Sequence, residues 1–273
     1  MTASSPDRAR APRTLDPWVA VGVTLWVGLG LWLDHRATLG EQRTIGVATW
    51  GLLALVLVRE ARTERVQVLI ALMIATLGEY ALSPGLGLYE YRLRGVPSFV
   101  PPGHGLVYLA ALNLARSTLA GAWGPRLRVV TVLAGGAWAA WGVTGATRSD
   151  RFGFLLYLAW AAFALKGGAP MIAVACWFLT TWLELMGTAL GNWTWASATA
   201  LTALTMGNPP TGIAGGYCVL DVLSLRLGAR LSRPAAHAVG GVAGGPAAAG
   251  GGAPGTTSTT GTTGDAIAPG AAN

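Results

Sequence analysis

Apolar and polar positions follow one another along this chain in long blocks rather than in short periods. Eight apolar runs can be drawn, at about Trp18 to Leu33, Ile45 to Val58, Val66 to Leu82, His104 to Ala115, Val129 to Ala146, Phe152 to Leu165, Pro170 to Leu190 and Thr211 to Leu225. Blocks that approach the ~20 residues needed to cross a bilayer core, bounded by charge, predict membrane-spanning helices. The expected fold is therefore all-α and integral to the membrane, with about eight transmembrane helices. The first run follows a basic segment, yet it has no small-residue cleavage site and leads into further spans, so it reads as an uncleaved first helix.

Polar residues in and between the runs recur in order. Thr76, Glu79, Gly87, Tyr89, Tyr91, Pro101-Pro102 and Asn113 are followed by Thr181, Glu184, Gly191, Trp193, Trp195, Pro209-Pro210 and Asp221. The offsets are 105 for the Thr and Glu, 104 for the Gly, and 108 for the prolines and the Asn/Asp position. Spacing this constant predicts an internal duplication. Eight spans divide into four and four, and an even number returns the chain to its starting side. Residues 17–116 and 117–230 are thus expected to be parallel four-helix repeats related by an axis along the membrane normal. Residues 1–16 carry Arg8, Arg10 and Arg13 without apolar periodicity, and residues 231–273 are mostly Gly, Ala, Thr and Pro. Both read as disordered tails.

Composition agrees with a membrane protein: 52% of residues are hydrophobic and 11% charged, against about 25% charged in a soluble domain. The formal charge is +7, but there is a single Lys, Lys166, and the arginines flank apolar runs. That arrangement argues against a nucleic-acid surface and for anchoring on the inner side of a membrane. With the amino terminus inside, 13 of the 19 basic residues fall on the inner side. Both termini are then cytoplasmic, the protein sits in the cell membrane with the lipid bilayer around it, and both aromatic segments lie on the outer face. Cys176 and Cys218 fall inside apolar runs, where a thiol serves as a small apolar filler. Neither a disulfide framework nor a CxxC metal site can be argued from them. The sequence implies no cofactor and sets no oligomeric state.

Candidate chemistry lies with ionisable residues inside the spans. An acid facing lipid at a helix centre costs about 2.5 to 3.5 kcal/mol, so Glu79, Glu184 and Asp221 must face the bundle interior. Counted from the ends of their runs, Glu79 and Glu184 lie about 20 Å from the inner boundary and Asp221 and Asn113 about 15 Å from the outer one. All four are expected as neighbours. Thr76 and Thr181 precede their Glu by three residues, on the same helix face, and could orient the carboxylates, although helix Thr more often bonds back to its own helix. His104 opens the fourth run and its counterpart is Gly212, an asymmetry expected if proton transfer had specialised in one half; the plainer reading is an interfacial His. A lone His among scattered acids offers no metal-ligand spacing. Tyr89, Tyr91, Trp193 and Trp195 either mark the membrane interface or form an aromatic lid over a lipophilic substrate.

The run from Gly78 to Gly103, GEYALSPGLGLYEYRLRGVPSFVPPG, resembles the multi-pass membrane proteins of carotenoid biosynthesis that include carotenoid hydratases. The second half matches only loosely, with Trp193 and Trp195 in place of tyrosines. The resemblance implies an enzyme that adds water to an isoprenoid double bond within the membrane, with Glu79, Tyr89 and Tyr91 as its candidate residues. On this reading Glu79 or Glu184 donates a proton and the partner acid, Asp221 or His104 accepts one or activates water. A proton-coupled permease and a structural membrane subunit are the alternatives that the same acids allow.

Overall fold

The computed structural model describes residues 16–232, so the two expected tails lie almost wholly outside the described residues. Each of the eight apolar runs coincides with a helix: α1 Asp16–Asp34, α2 Leu39–Leu57, α3 Arg62–Tyr80, α4 Val100–Arg116, α5 Thr118–Thr144, α6 Arg151–Lys166, α7 Pro170–Ala189 and α8 Ala214–Leu231.

Local chemistry explains where they start and stop. Thr38 and Glu41 form a reciprocal capping box at the head of α2, which satisfies two otherwise orphaned groups. Pro101 and Pro102 occupy the first turn of α4, where the missing amide hydrogens would have had no partner. Ser117 ends α4 and caps α5 through Ala120 N, so those two helices join without a loop. Asp150 caps α6.

Among the described residues, four segments are long and apolar enough to cross a membrane: Pro17–Asp34, Arg62–Gly85, Thr118–Thr144 and Pro170–Ala189. The helices between them are shorter or more polar. α4 has 17 residues and α6 has 16, about 26 and 24 Å at 1.5 Å per residue. α4 is the centre of the bundle. Every residue from Gly105 to Asn113 is buried, and the helix packs on α1, α2, α3 and α7. A helix apolar on all sides is stable only when covered like this. The outer helices expose large apolar side chains, with Leu77, Val47 and Leu133 at 71%, 73% and 68%. A surface that apolar suits lipid rather than water.

The two sequence halves do not form separate bodies. α3 packs on α8 and α4 on α7, and the described residues belong to one compact unit. Two features escaped the helical reading. α3 continues as a π-turn, Ala81–Gly85, with Pro84 inside it. Two three-residue strands, β1 Tyr89–Tyr91 and β2 Trp193–Trp195, pair antiparallel, with Tyr89 opposite Trp195 and Tyr91 opposite Trp193. Each strand is entered through a glycine in the left-handed region, Gly87 at φ +63° and Gly191 at φ +72°, a conformation that a side chain would strain.

Candidate functional site

The strands exist to deliver side chains. Alternate residues of a strand face the same way, so Tyr89 and Tyr91 both point inward while Glu90 stays exposed, and Trp193 and Trp195 do the same around Thr194. The Tyr89 and Tyr91 hydroxyls donate to Glu79 Oε2 at 2.6 and 2.7 Å. The Trp193 and Trp195 indole nitrogens donate to Glu184 Oε2 at 2.9 and 3.1 Å. Each buried acid is thus served by the strand that follows its own helix. Ser83 fixes β1 by donating to the Tyr89 carbonyl at 2.9 Å. Burial first, and the neighbouring Glu79 carboxylate second, hold both phenols well above their ordinary range, so they stay protonated and keep donating.

The two pairs differ in what they can do with a proton. An indole N–H only donates, whereas a phenol both donates and accepts. Across the strand pair the rings pack closely, Tyr89 on Trp195 at 4.7 Å and Tyr91 on Trp193 at 6.1 Å between centroids. These four rings form one wall.

His104 completes the first-half acid. Its Nδ1 donates to the Val100 carbonyl at 3.0 Å, since a carbonyl can only accept, and its Nε2 lies 3.4 Å from Glu79 Oε1. With Nδ1 committed to a carbonyl, Nε2 is the ring nitrogen that faces the Glu79 carboxyl group. The imidazole stacks on Tyr217 of α8, 5.5 Å between centroids and 11° between planes.

All these groups line one cavity of about 260 Å³. The strands and both acids close one end of it; Ile74, Val107 and Leu220 line it one turn deeper along α3, α4 and α8. Its side is flanked by Ile45 and Thr49 of α2 and by Gly78 and Leu82 on the α3 side. There α2 packs on α1 and α4, whereas α6 packs on both α7 and α8. The corresponding space in the second half is filled by backbone. A Cβ on Gly212 would lie 2.1 Å from the Gly153 carbonyl oxygen and from the Tyr157 amide nitrogen, and one on Gly215 would lie 2.0 Å from the Leu156 carbonyl oxygen. No histidine fits where Gly212 stands.

Of the residues expected together, Glu79, Glu184, His104, Tyr89, Tyr91, Trp193 and Trp195 line the cavity. The other four do not. Thr76 bonds back to the Leu72 carbonyl at 2.7 Å, and the buried Thr181 hydroxyl has no hydrogen-bond partner, so neither orients its Glu. Asn113 accepts from Arg116 at 2.8 Å, within a cluster where Arg116 also meets Glu64 at 3.1 Å and Glu60 at 3.5 Å. The reason is depth: Asn113 lies nine residues beyond His104 on α4, about 14 Å further along the helix and away from the acids. Asp221 turns instead toward Cys176 and Cys218.

Three functional-looking groups were missed. Tyr217, the aromatic residue in the last run, stacks on His104. Asp34 accepts from Gln42 and Asn192, both at 2.8 Å, tying the α1–α2 turn to the segment before β2. Asp150 accepts from the Gly153, Gly207 and Thr211 amides and the Thr211 hydroxyl at 2.6 to 2.9 Å. An Asp directly before an apolar helical run is a capping signal, and Asp150 was legible as such.

No protein-family model, curated protein or solved structure matches the chain.

Proposed function

We propose that this is a multi-pass protein of the cell membrane whose eight helices all span, arranged as two four-helix repeats that run in the same direction with both termini cytoplasmic. Supporting this are the four long apolar helices, the apolar outer surface, the pairing of the two strands and the 13-to-6 bias of basic residues. An antiparallel strand pair joining equivalent segments is what a two-fold axis along the membrane normal would produce.

Within that frame, we infer an intramembrane enzyme that acts on a lipophilic, isoprenoid-like small molecule taken from the bilayer between α2 and α3. One observation carries the reading: the Glu79 carboxyl group and the His104 imidazole, two groups that can carry a proton between them, meet at 3.4 Å in an otherwise largely apolar cavity lined by four aromatic rings of the strand pair. In a hydration, that proton passes to one alkene carbon as the π pair forms the new C–H bond. The cation left on the adjacent carbon faces the electron-rich faces of Tyr and Trp rings, which attract positive charge. Water adds through oxygen, and its surplus proton returns to the Glu79–His104 pair, so alkene plus water gives alcohol and the acid is regenerated. Tyr89 and Tyr91 hold the Glu79 carboxylate in place. Glu184, held by the Trp193 and Trp195 indoles, positions the aromatic wall. The resemblance read from the sequence of residues 78–103 implies the same chemistry.

A proton-coupled permease would need the polar lining to continue toward the opposite face, and Asp221 and Asn113 lie off the cavity. The enzyme reading is preferred for that reason.

The test is mass spectrometry of the lipids and pigments of cells carrying the native chain, Glu79→Gln, His104→Ala or Glu184→Gln. A hydrophobic species short of one water should accumulate with the first two variants. Unchanged profiles from variants that still fold in the membrane overturn the reading.

A further inference from the structure

A second convergence of polar groups lies off the cavity, where α7 packs on α8. Cys218 and Asp221 are three residues apart on α8 and so share a face, which they turn to Cys176 of α7. The two sulfurs and a carboxylate oxygen all lie within 4.8 Å of one another. All three residues are buried, at 2% exposure for each cysteine and 5% for Asp221.

Nothing among the described residues satisfies this group fully. Asp221 Oδ2 is buried without a hydrogen-bond partner, a situation that costs on the order of 1 to 3 kcal/mol or more for a charged group. Tyr108 of α4 has a buried hydroxyl that also lacks a partner among the described residues. The surrounding residues are apolar, among them Trp160, Ala173 and Ala214. Thiols are weak hydrogen-bond donors and cannot replace water for a carboxylate.

We propose that Cys176, Cys218 and Asp221 form a binding site for a thiophilic d¹⁰ cation of the Zn²⁺ or Cd²⁺ type. Two sulfurs and one oxygen make the donor set that such ions select, and Mg²⁺ and Ca²⁺, which take oxygen ligands throughout, are poorly matched to it. On binding, two S–H bonds give way to two metal–sulfur bonds and the protons leave to solvent. The ion neutralises most of the thiolate and carboxylate charge, gives the unpartnered carboxylate a ligand, and ties α7 to α8. The site is separate from the acids of the cavity and stands whether or not the cavity is catalytic.

Cadmium is a suitable probe because thiolate-bound Cd²⁺ absorbs in the ultraviolet. The full chain in detergent, reduced and stripped with chelator, is titrated with Cd²⁺, read by that absorbance and by native mass spectrometry. One Cd²⁺ per chain is expected, displaced by Zn²⁺ and not by Mg²⁺. Cys176→Ser and Cys218→Ser should each lose the absorbance. Asp221→Asn, which keeps both thiols and nearly the same shape, should weaken binding by more than the roughly 10–100-fold that losing a supporting residue costs. Glu79→Gln should bind as the native chain does. A native chain that is helical and monodisperse yet shows no thiolate–cadmium absorbance overturns the proposal, even if every variant fails to fold. So does equal binding by the Cys176→Ser/Cys218→Ser chain, displacement by Mg²⁺, or loss of binding in a folded Glu79→Gln chain.

Discussion

Tyr91 and Trp193 stand opposite one another in the strand pair, and each donates to a different buried glutamate, Tyr91 to Glu79 and Trp193 to Glu184. Two segments about a hundred residues apart thereby share one aromatic wall while keeping their acids chemically distinct. The first has a phenol pair and a histidine; the second has indoles and a glycine.

Removing one phenol should show what that wall contributes. Tyr91→Phe takes away one of two donors to a buried carboxylate oxygen, and a hydrogen bond to a charged group is worth about 1.5 to 3 kcal/mol. Thermal unfolding in detergent should fall by that order. Tyr89→Phe should match it, and the double variant should lose more than either.

The filled second half gives a contrast. Gly212→Ala sets a methyl group against the backbone of α6 and should destabilise by about 1 to 3 kcal/mol or more, since that backbone has little room to give. A Cβ on Gly51 meets nothing within 4 Å, so Gly51→Ala should be neutral or gain up to about 1 kcal/mol from helix propensity. Folded yield and unfolding midpoint of the two variants compare them directly.

Gly187 tests the seating of the indoles. A Cβ there would fall 1.9 Å from Trp193 Cη2, so Gly187→Ala should push Trp193 off Glu184. A changed tryptophan emission spectrum together with reduced stability is expected. Trp193→Phe in the same background should restore part of the stability, because the smaller ring vacates the contested space.

Asp150 is the clearest structural acid. Asp150→Ala would strand three amides, those of Gly153, Gly207 and Thr211, at about 1 to 3 kcal/mol for each buried donor. We expect little folded protein, measured as the monodisperse fraction after extraction. Asp150→Asn, which keeps one acceptor oxygen, should fall between the two.

The order of apolar runs was sufficient to place all eight helices, because burial against lipid or protein demands long apolar stretches and leaves that demand visible residue by residue. The spacing of Glu79, Gly87, Tyr89 and Tyr91, repeated at Glu184, Gly191, Trp193 and Trp195, likewise marked the residues that meet at the acids, since a helix end, a left-handed glycine and an alternating strand are local events. What the spacing could not carry was which way each helix turns. Asn113 and Asp221 occupy the same place in the pattern, yet one ends beside Arg116 and the other beside Cys176 and Cys218. That depends on where α4 and α8 begin and on which helices they touch. The antiparallel pairing of the strands, the meeting of Glu79 and His104, and the closure of the second half by α6 against Gly212 are likewise decided only in three dimensions. Each is a contact between segments far apart in the chain, and its energy comes from packing that no single stretch of sequence contains.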